Sequence, residues 1–269
     1  MERMNLLLLP GLLNGASLFE HQADALANVV GITVADLTGS DSMTTLAADA
    51  LAQAPEGPFV LAGMSMGAYV AFEIMRRAPQ RVRALALLST SARPDTPDAT
   101  ATREEFIELA ETDFPAVIEK LLSRMAHPEH ANTPEVGGMF QSMATGLGYE
   151  VFVRQERAII GRTDSRPTLA DIKCPTLVLC GRQDLVTPPE VHRELAAGIA
   201  GARLEIIEEC GHLLPLEQPE QVTEILRDWL SEVAGTQRSN ATGPQTAAVG
   251  DLPASPPREP AGGQSGEPD

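Results

Sequence analysis

The fold of this chain is decided by the stretch Pro58-Phe59-Val60-Leu61-Ala62-Gly63-Met64-Ser65-Met66-Gly67. An apolar run suited to a buried strand leads into a short turn, and the helix-like segment Ala68 to Arg77 follows. A tight turn between a strand and a helix excludes bulky side chains at its flanks, which accounts for Gly63 and Gly67. Ser65 is left exposed at the tip. Because glycine and serine are common in turns, the pattern needs support from the rest of the chain.

That support comes from an acid and a histidine further along. Asp184 follows the apolar run Thr176 to Cys180, and His212 follows Leu204 to Ile207. Serine, acid and histidine therefore occur in this order, each where a predicted strand ends. Asp95, after the fourth predicted strand, is the alternative acid.

Six short apolar runs alternate with helix-like segments, which predicts an α/β fold with a mostly parallel sheet covered on both faces. The predicted strands are Leu6–Leu9, Ile32–Ala35, Phe59–Ala62, Ala84–Leu88, Thr176–Cys180 and Leu204–Ile207. Helix starts are predicted at Thr102, as part of a capping box, and at Thr187, as an N-cap. We expect a core of residues 1–90 and 170–234, a helical cap of residues 91–169 and a disordered tail of residues 235–269.

Composition limits the classes of partner. The formal net charge of −17 disfavours nucleic acid and anionic membranes, because both require a basic surface. Three cysteines fit a reducing compartment, and the opening apolar run is too short for a signal peptide, so we expect a cytoplasmic protein. The expected partner is a small-molecule ester, with no cofactor and no metal, and a homodimer is left open.

In its motifs the chain from about Met4 to Val233 resembles a capped α/β-hydrolase of the serine esterase and C–C hydrolase type. The similar segments are Pro10-Gly11-Leu12, Asp36-Leu37-Thr38-Gly39-Ser40-Asp41-Ser42, Gly181-Arg182-Gln183-Asp184 and Gly211-His212. Pro10 departs from the family, which usually has a histidine of mainly structural importance there. The resemblance implies a six-stranded, mostly parallel sheet with an inserted helical cap, and a catalytic triad.

The chemistry assigns each residue a role. Serine is a weak nucleophile at neutral pH, so Ser65 requires a base, and His212 is the candidate. Asp184 would hold the imidazole in one tautomer. The backbone N–H groups of Leu12 and Met66 would form the oxyanion hole.

These assignments predict a serine hydrolase that cleaves a small or medium apolar carboxylic ester through an acyl-enzyme. Alternatives with the same triad are a C–C bond hydrolase, a cofactor-free perhydrolase or haloperoxidase, and an acyltransferase; a slow-turnover ligand sensor is an alternative of another class. No arginine cluster in the sequence indicates a polyanionic substrate. An apolar lid is expected from Phe106, Phe114, Phe140 and Phe152, and Met64, Met66, Met125, Met139 and Met143 are candidates for lining the acyl pocket. The remaining histidines (His21, His127, His130 and His192) are expected on the surface or in the lid, and Cys180 and Cys210 in the core.

Overall fold

A computed structural model describes residues 3–241 of the chain, with side chains described as far as residue 235. Its centre is a six-stranded sheet in the order β2-β1-β3-β4-β5-β6, in which every neighbouring pair is parallel. The strands are β1 (Asn5–Leu9), β2 (Gly31–Val34), β3 (Phe59–Met64), β4 (Val82–Leu88), β5 (Thr176–Gly181) and β6 (Arg203–Ile207). The predicted α/β fold and all six predicted strands are confirmed.

Helices cover this sheet. They are α1 (Glu20–Leu26), α2 (Met43–Gln53), α3 (Met66–Arg77), α4 (Pro97–Met125), α5 (Met139–Leu147), α6 (Tyr149–Ile160), α7 (Pro189–Gly198), α8 (Leu214–Glu217) and α9 (Pro219–Ala241). Short 3₁₀ segments occur at Ala16–Phe19, Pro79–Arg81 and Arg166–Asp171, and a π turn at Pro134–Gly138. Residues of β3 and β5 are buried throughout, as expected for strands covered on both faces.

The described residues between β4 and β5 form helices and no strand. We call this insertion, residues 91–169, the cap. Its long helix α4 is kinked at Asp113, whose φ of −147° and ψ of 72° are not helical. Pro115 explains the kink, because its ring lacks an N–H and clashes with the preceding turn. The Asp113 carboxylate then caps the second arm by accepting a hydrogen bond from the N–H of Ala116 over 3.0 Å.

Two predicted helix starts were wrong. α4 begins at Pro97 with Thr96 as its N-cap, and Thr102 lies inside the helix, where its hydroxyl donates to the carbonyl of Asp98. Thr187 does not cap α7, because its hydroxyl bonds to Asp184 instead. At the other end of the chain, α9 runs to Ala241, so the change of composition at Gly235 does not end that helix. The rest of the predicted tail, residues 242–269, lies outside the described residues.

In a parallel sheet the carboxyl ends of all strands meet at one edge, and every predicted site residue lies there or in a loop leaving it. No described helix is both long enough and apolar enough to cross a membrane.

Candidate active site

Ser65 lies between the last residue of β3 and the first residue of α3. Its φ of 52° places it in the left-handed region, which costs free energy for a residue with a side chain. The two flanking glycines make the turn possible. A Cβ at Gly63 would lie 2.6 Å from the carbonyl oxygen of Gly67, and a Cβ at Gly67 would overlap the carbonyl oxygen of Leu9.

The structure brings Ser65, His212 and Asp184 together. His212 Nε2 lies 2.9 Å from Ser65 Oγ, and His212 Nδ1 lies 2.8 Å from Asp184 Oδ2. All three residues are buried, and Ser65, which was expected to be exposed at the tip of the turn, has only 8% of its surface exposed. When His212 is neutral in this arrangement, its proton is on Nδ1, facing the Asp184 carboxylate, so that Nε2 accepts a hydrogen bond from the Ser65 hydroxyl.

Asp184 is held as a charged group. Its Oδ1 accepts hydrogen bonds from the N–H groups of Val186 and Thr187 over 2.9 and 2.8 Å, and its Oδ2 accepts from the Thr187 hydroxyl over 2.9 Å. Burial by itself raises the pKa of this carboxyl, but attraction and hydrogen bonding from His212, with the backbone bond from Thr187, outweigh it. The pKa of Asp184 is therefore lowered, and the carboxylate can stabilise an imidazolium.

The two predicted oxyanion-hole residues flank Ser65. Met66 follows it at the start of α3, and Leu12 lines the cavity above it. Among the described residues, neither backbone N–H donates a hydrogen bond to another group. The loop that carries Leu12 passes close to the serine, since a Cβ at Gly11 would lie 3.3 Å from Ser65 Cβ. Gln155 fixes this loop by accepting a hydrogen bond from the N–H of Leu13 over 2.8 Å.

A cavity of about 270 Å³ opens over Ser65, between the sheet edge and the cap. One part of its wall is apolar: Leu12, Phe106, Leu121, Met125, Ile159 and Val186. Another part is charged: Arg93, Asp95, Arg103, Arg124, Glu156 and Arg162. The volume suits a small ligand. Nothing in the sequence indicated that four arginines would meet at this cavity, because they come from separate segments.

The model of the alpha/beta hydrolase family matches residues 6–225. The chain belongs to the alpha/beta hydrolase family. A similar curated relative is a pimeloyl-[acyl-carrier protein] methyl ester esterase of Neisseria meningitidis serogroup A, 28% identical over 197 residues. That alignment covers 70% of this chain but only 62% of the relative, less than two thirds of its length.

Solved structures of alpha/beta hydrolases resemble this chain over a larger share of their length. An esterase from Thermogutta terrifontis, determined with malate bound, superimposes with a TM-score of 0.78 and 31% identity, covering 86% of this chain and 90% of that one. The enol-lactonase of Burkholderia xenovorans LB400 superimposes with a TM-score of 0.76 at 24% identity, covering 86% and 92%, and shares the fold.

In this alpha/beta hydrolase, Asp95 is paired with arginines and not with His212. It forms ion pairs with Arg103 and Arg162, each with a nitrogen–oxygen distance of 2.7 Å, and has no hydrogen bond to His212. Of the four phenylalanines expected in the lid, Phe106 lines the cavity, whereas Phe140 and Phe152 are buried in the core. Of the five candidate methionines, Met125 is the one that lines it among the described residues.

The expectation for His192 was wrong. The side chain is fully buried, and its Nε2 accepts a hydrogen bond from the N–H of Thr90 over 2.8 Å. Cys180 and Cys210 are buried as expected, and burial raises the pKa of Cys180 to about 12, so its thiol stays protonated. His21 and His130 bond to Thr223 and Glu217.

The sequence analysis did not place four residues at the site: Thr187, Gln155, His192 and Glu217. Thr187 was interpreted as a helix cap, although its hydroxyl also lies 3.3 Å from His212 Nδ1. Glu217 occurs five residues after His212 in an otherwise apolar stretch, and this isolated buried acid was the one available signal. Gln155 belongs to an ordinary helical pattern and offered none.

Proposed function

We propose that this chain is a serine hydrolase that cleaves a small or medium carboxylic ester through an acyl-enzyme intermediate. The observation that carries the proposal is the continuous hydrogen-bond chain from Ser65 Oγ through both nitrogens of His212 to Asp184, located at the base of a cavity. This arrangement supplies a nucleophile, a base and a group that orients the base.

In the proposed reaction Ser65 Oγ attacks the ester carbonyl carbon while His212 Nε2 takes the hydroxyl proton. The negative charge that forms on the carbonyl oxygen is stabilised by the N–H groups of Leu12 and Met66. The imidazolium then gives its proton to the departing alkoxide, which leaves as an alcohol. A water molecule, deprotonated by the same nitrogen, releases the acid and regenerates Ser65.

Ester hydrolysis is favoured over the other reactions that the triad can support. Both the Neisseria relative and the Thermogutta structure are named as esterases. The apolar wall of the cavity, with Leu12, Phe106 and Leu121, suits the carbon chain of an ester. The formal net charge of −17 argues against nucleic acid as a partner.

We also propose that the enzyme acts in the cytoplasm. All three cysteines are free, and Cys180 and Cys210 are buried. Free thiols persist in a reducing compartment.

The test is covalent labelling combined with turnover. A fluorophosphonate probe should label the wild type and fail to label Ser65→Ala. Ser91→Ala, which alters another serine of the same cavity, should still be labelled. The wild type should also release many equivalents of p-nitrophenol from p-nitrophenyl butyrate, whereas a ligand sensor would stop after about one. Labelling of Ser65→Ala at full intensity would refute the proposal.

A further inference from the structure

The cavity over Ser65 differs in charge from the molecule as a whole. The chain has a formal net charge of −17, yet the charged residues that line the cavity are four arginines and two carboxylates. Charges in a partly enclosed, low-dielectric space act more strongly than charges in water. The composition of this wall therefore bears on which substrate the cavity accepts.

Three of the four arginines are already neutralised. Arg103 pairs with Asp95 and with Glu156, each over 2.7 Å, and Arg162 pairs with Asp95 over 2.7 Å. Arg93 pairs with Glu194, which lies outside the cavity. The three arginines therefore have three carboxylate partners in total, and together the two sets have no net charge.

Arg124 is the remaining cation. Within the described part of the chain its guanidinium forms no ion pair and donates no hydrogen bond, although it lines the cavity. It is exposed and therefore lies where the cavity meets solvent. Helix α4 places it one residue before Met125, whose carbonyl accepts a hydrogen bond from the N–H of His212. An unpaired arginine thus lines the same cavity as Ser65.

A second observation also indicates a polar ligand. Tyr69 lies one helical turn after Ser65 on α3, lines the cavity and is only 8% exposed. Its hydroxyl has no hydrogen-bond partner among residues 3–235, and its ring packs against the Arg162 guanidinium, with the guanidinium carbon 4.4 Å from the ring centroid. The unpaired hydroxyl of this largely buried tyrosine, on the wall of the cavity, is free to donate a hydrogen bond to a ligand atom.

We propose that the substrate is an ester that carries a free carboxylate, with Arg124 as the ion partner of that carboxylate and the Tyr69 hydroxyl as a further donor to the ligand. This inference rests on the ester hydrolysis proposed above. A single negative charge matches the single unpaired arginine, whereas the second charge of a dianion would have no free cationic partner in this wall. The planar guanidinium suits a carboxylate, which it can bind through two parallel hydrogen bonds.

The test compares esters that differ only at the distant end. Monomethyl esters of succinic, glutaric and adipic acid are each paired with the methyl ester whose free acid is replaced by a carboxamide, which has nearly the same shape without the charge. Methanol release gives kcat/KM at about pH 8, where the free acids are ionised. For at least one chain length the wild type should prefer the acid over the amide by about 10- to 100-fold, the size expected for a hydrogen-bonded ion pair.

Variants then assign the preference to one residue. Arg124→Met should reduce the acid-to-amide ratio to about one. Arg157→Met is the matched control, because Arg157 is an exposed arginine of the cap that does not line this cavity, and its ratio should equal that of the wild type. A wild-type ratio near one at all three lengths, or an undiminished preference in Arg124→Met, would overturn the inference. If either of these results is found but the amide esters are hydrolysed, the proposed esterase activity still stands. If the wild type neither hydrolyses these esters nor reacts with the probe, the esterase proposal itself is wrong.

Discussion

The backbone N–H of His212 donates a hydrogen bond to the carbonyl oxygen of Met125, with 2.6 Å between the two atoms. Met125 is the last residue of α4, so the end of the cap helix rests directly on the loop that carries the proposed base. Gly211 permits this contact, because a Cβ there would lie 2.6 Å from that same oxygen. The cap therefore helps to set the position of His212 as well as enclosing the cavity.

Glu217 strengthens the same junction. Its carboxylate is fully buried and accepts hydrogen bonds from the N–H groups of Gly211, Leu213 and His127, over 3.0, 2.9 and 2.8 Å. The first two donors lie on either side of His212, and the third belongs to the cap. His130 Nδ1 lies 3.1 Å from the same carboxylate. One buried acid thus joins the cap to the loop of the base.

We expect Glu217→Gln to lower kcat and to destabilise the fold. A glutamine has one oxygen, so its NH₂ group must face at least one of the three backbone donors, and a buried N–H without an acceptor costs about 1–3 kcal/mol. The unfolding free energy in urea should fall by about that amount, and kcat for a p-nitrophenyl ester should fall with it because His212 shifts. Glu220→Gln, the same change at a side chain that is 79% exposed, should alter neither. Wild-type values for both quantities in Glu217→Gln would contradict this role.

Asp184 and Asp95 should respond differently to the same substitution. Asp184→Asn removes the charge that orients His212, and neutralising a triad acid lowers kcat by about 10⁴. Asp95→Asn instead leaves Arg103 and Arg162 without their shared partner, so it should reduce the unfolding free energy by about 3 kcal/mol and change kcat far less. Steady-state kinetics and urea unfolding of both variants separate these effects. The opposite ranking in kcat would assign the acid to Asp95.

The sheet and the meeting of Ser65, Asp184 and His212 could be predicted because each depends on a local pattern. Strands covered on both faces appear as short apolar runs, and the strand-to-helix turn at Ser65 imposes glycines at fixed positions. The charged wall could not be predicted in this way. Arg103 and Arg124 lie on the two arms of α4, on either side of the kink at Asp113, and Glu156 lies on α6. Side chains that meet through tertiary packing leave no spacing signal in the chain.

The burial of His192 is a second result of tertiary packing that the sequence did not predict, and it leads to a prediction about pH. Its ring is buried beside Asp184, and because Nε2 accepts from the Thr90 N–H, protonation would place two donors face to face. Burial lowers its pKa to about 4, although the charge of Asp184 opposes the shift. A histidine with a lowered pKa in the folded state binds more protons when unfolded, so it reduces stability as the pH falls from about 6.5 to about 4. Asp184 contributes little in most of this window, because its lowered pKa costs stability only once the pH approaches about 3.9, where the carboxyl of the unfolded chain takes up a proton.

The wild type should therefore lose up to about 3 kcal/mol of unfolding free energy through His192 between pH 7 and pH 4. His192→Gln keeps an acceptor for the Thr90 N–H without titrating in this range. Urea unfolding of both proteins at pH 7 and at about pH 4.5 gives the loss of unfolding free energy between the two pH values for each protein. The loss in the variant should be smaller than that in the wild type by about 2 kcal/mol. Equal differences would show that His192 is not the group that titrates.

One added methyl group at Gly67 should be severely damaging. A Cβ there would overlap the carbonyl oxygen of Leu9 and lie 2.7 Å from that of Pro10, so α3 could not stay against the end of β1. Backbone atoms cannot move aside as a flexible side chain can, and we expect Gly67→Ala to cost at least about 3 kcal/mol or to abolish soluble expression. Gly146→Ala is the control: that glycine is exposed on α5, and a Cβ there would have no atom within 4 Å, so alanine should leave stability unchanged or raise it by up to about 1 kcal/mol. A Gly67→Ala protein with wild-type unfolding and probe labelling at Ser65 would mean that the turn is wider than this structure shows.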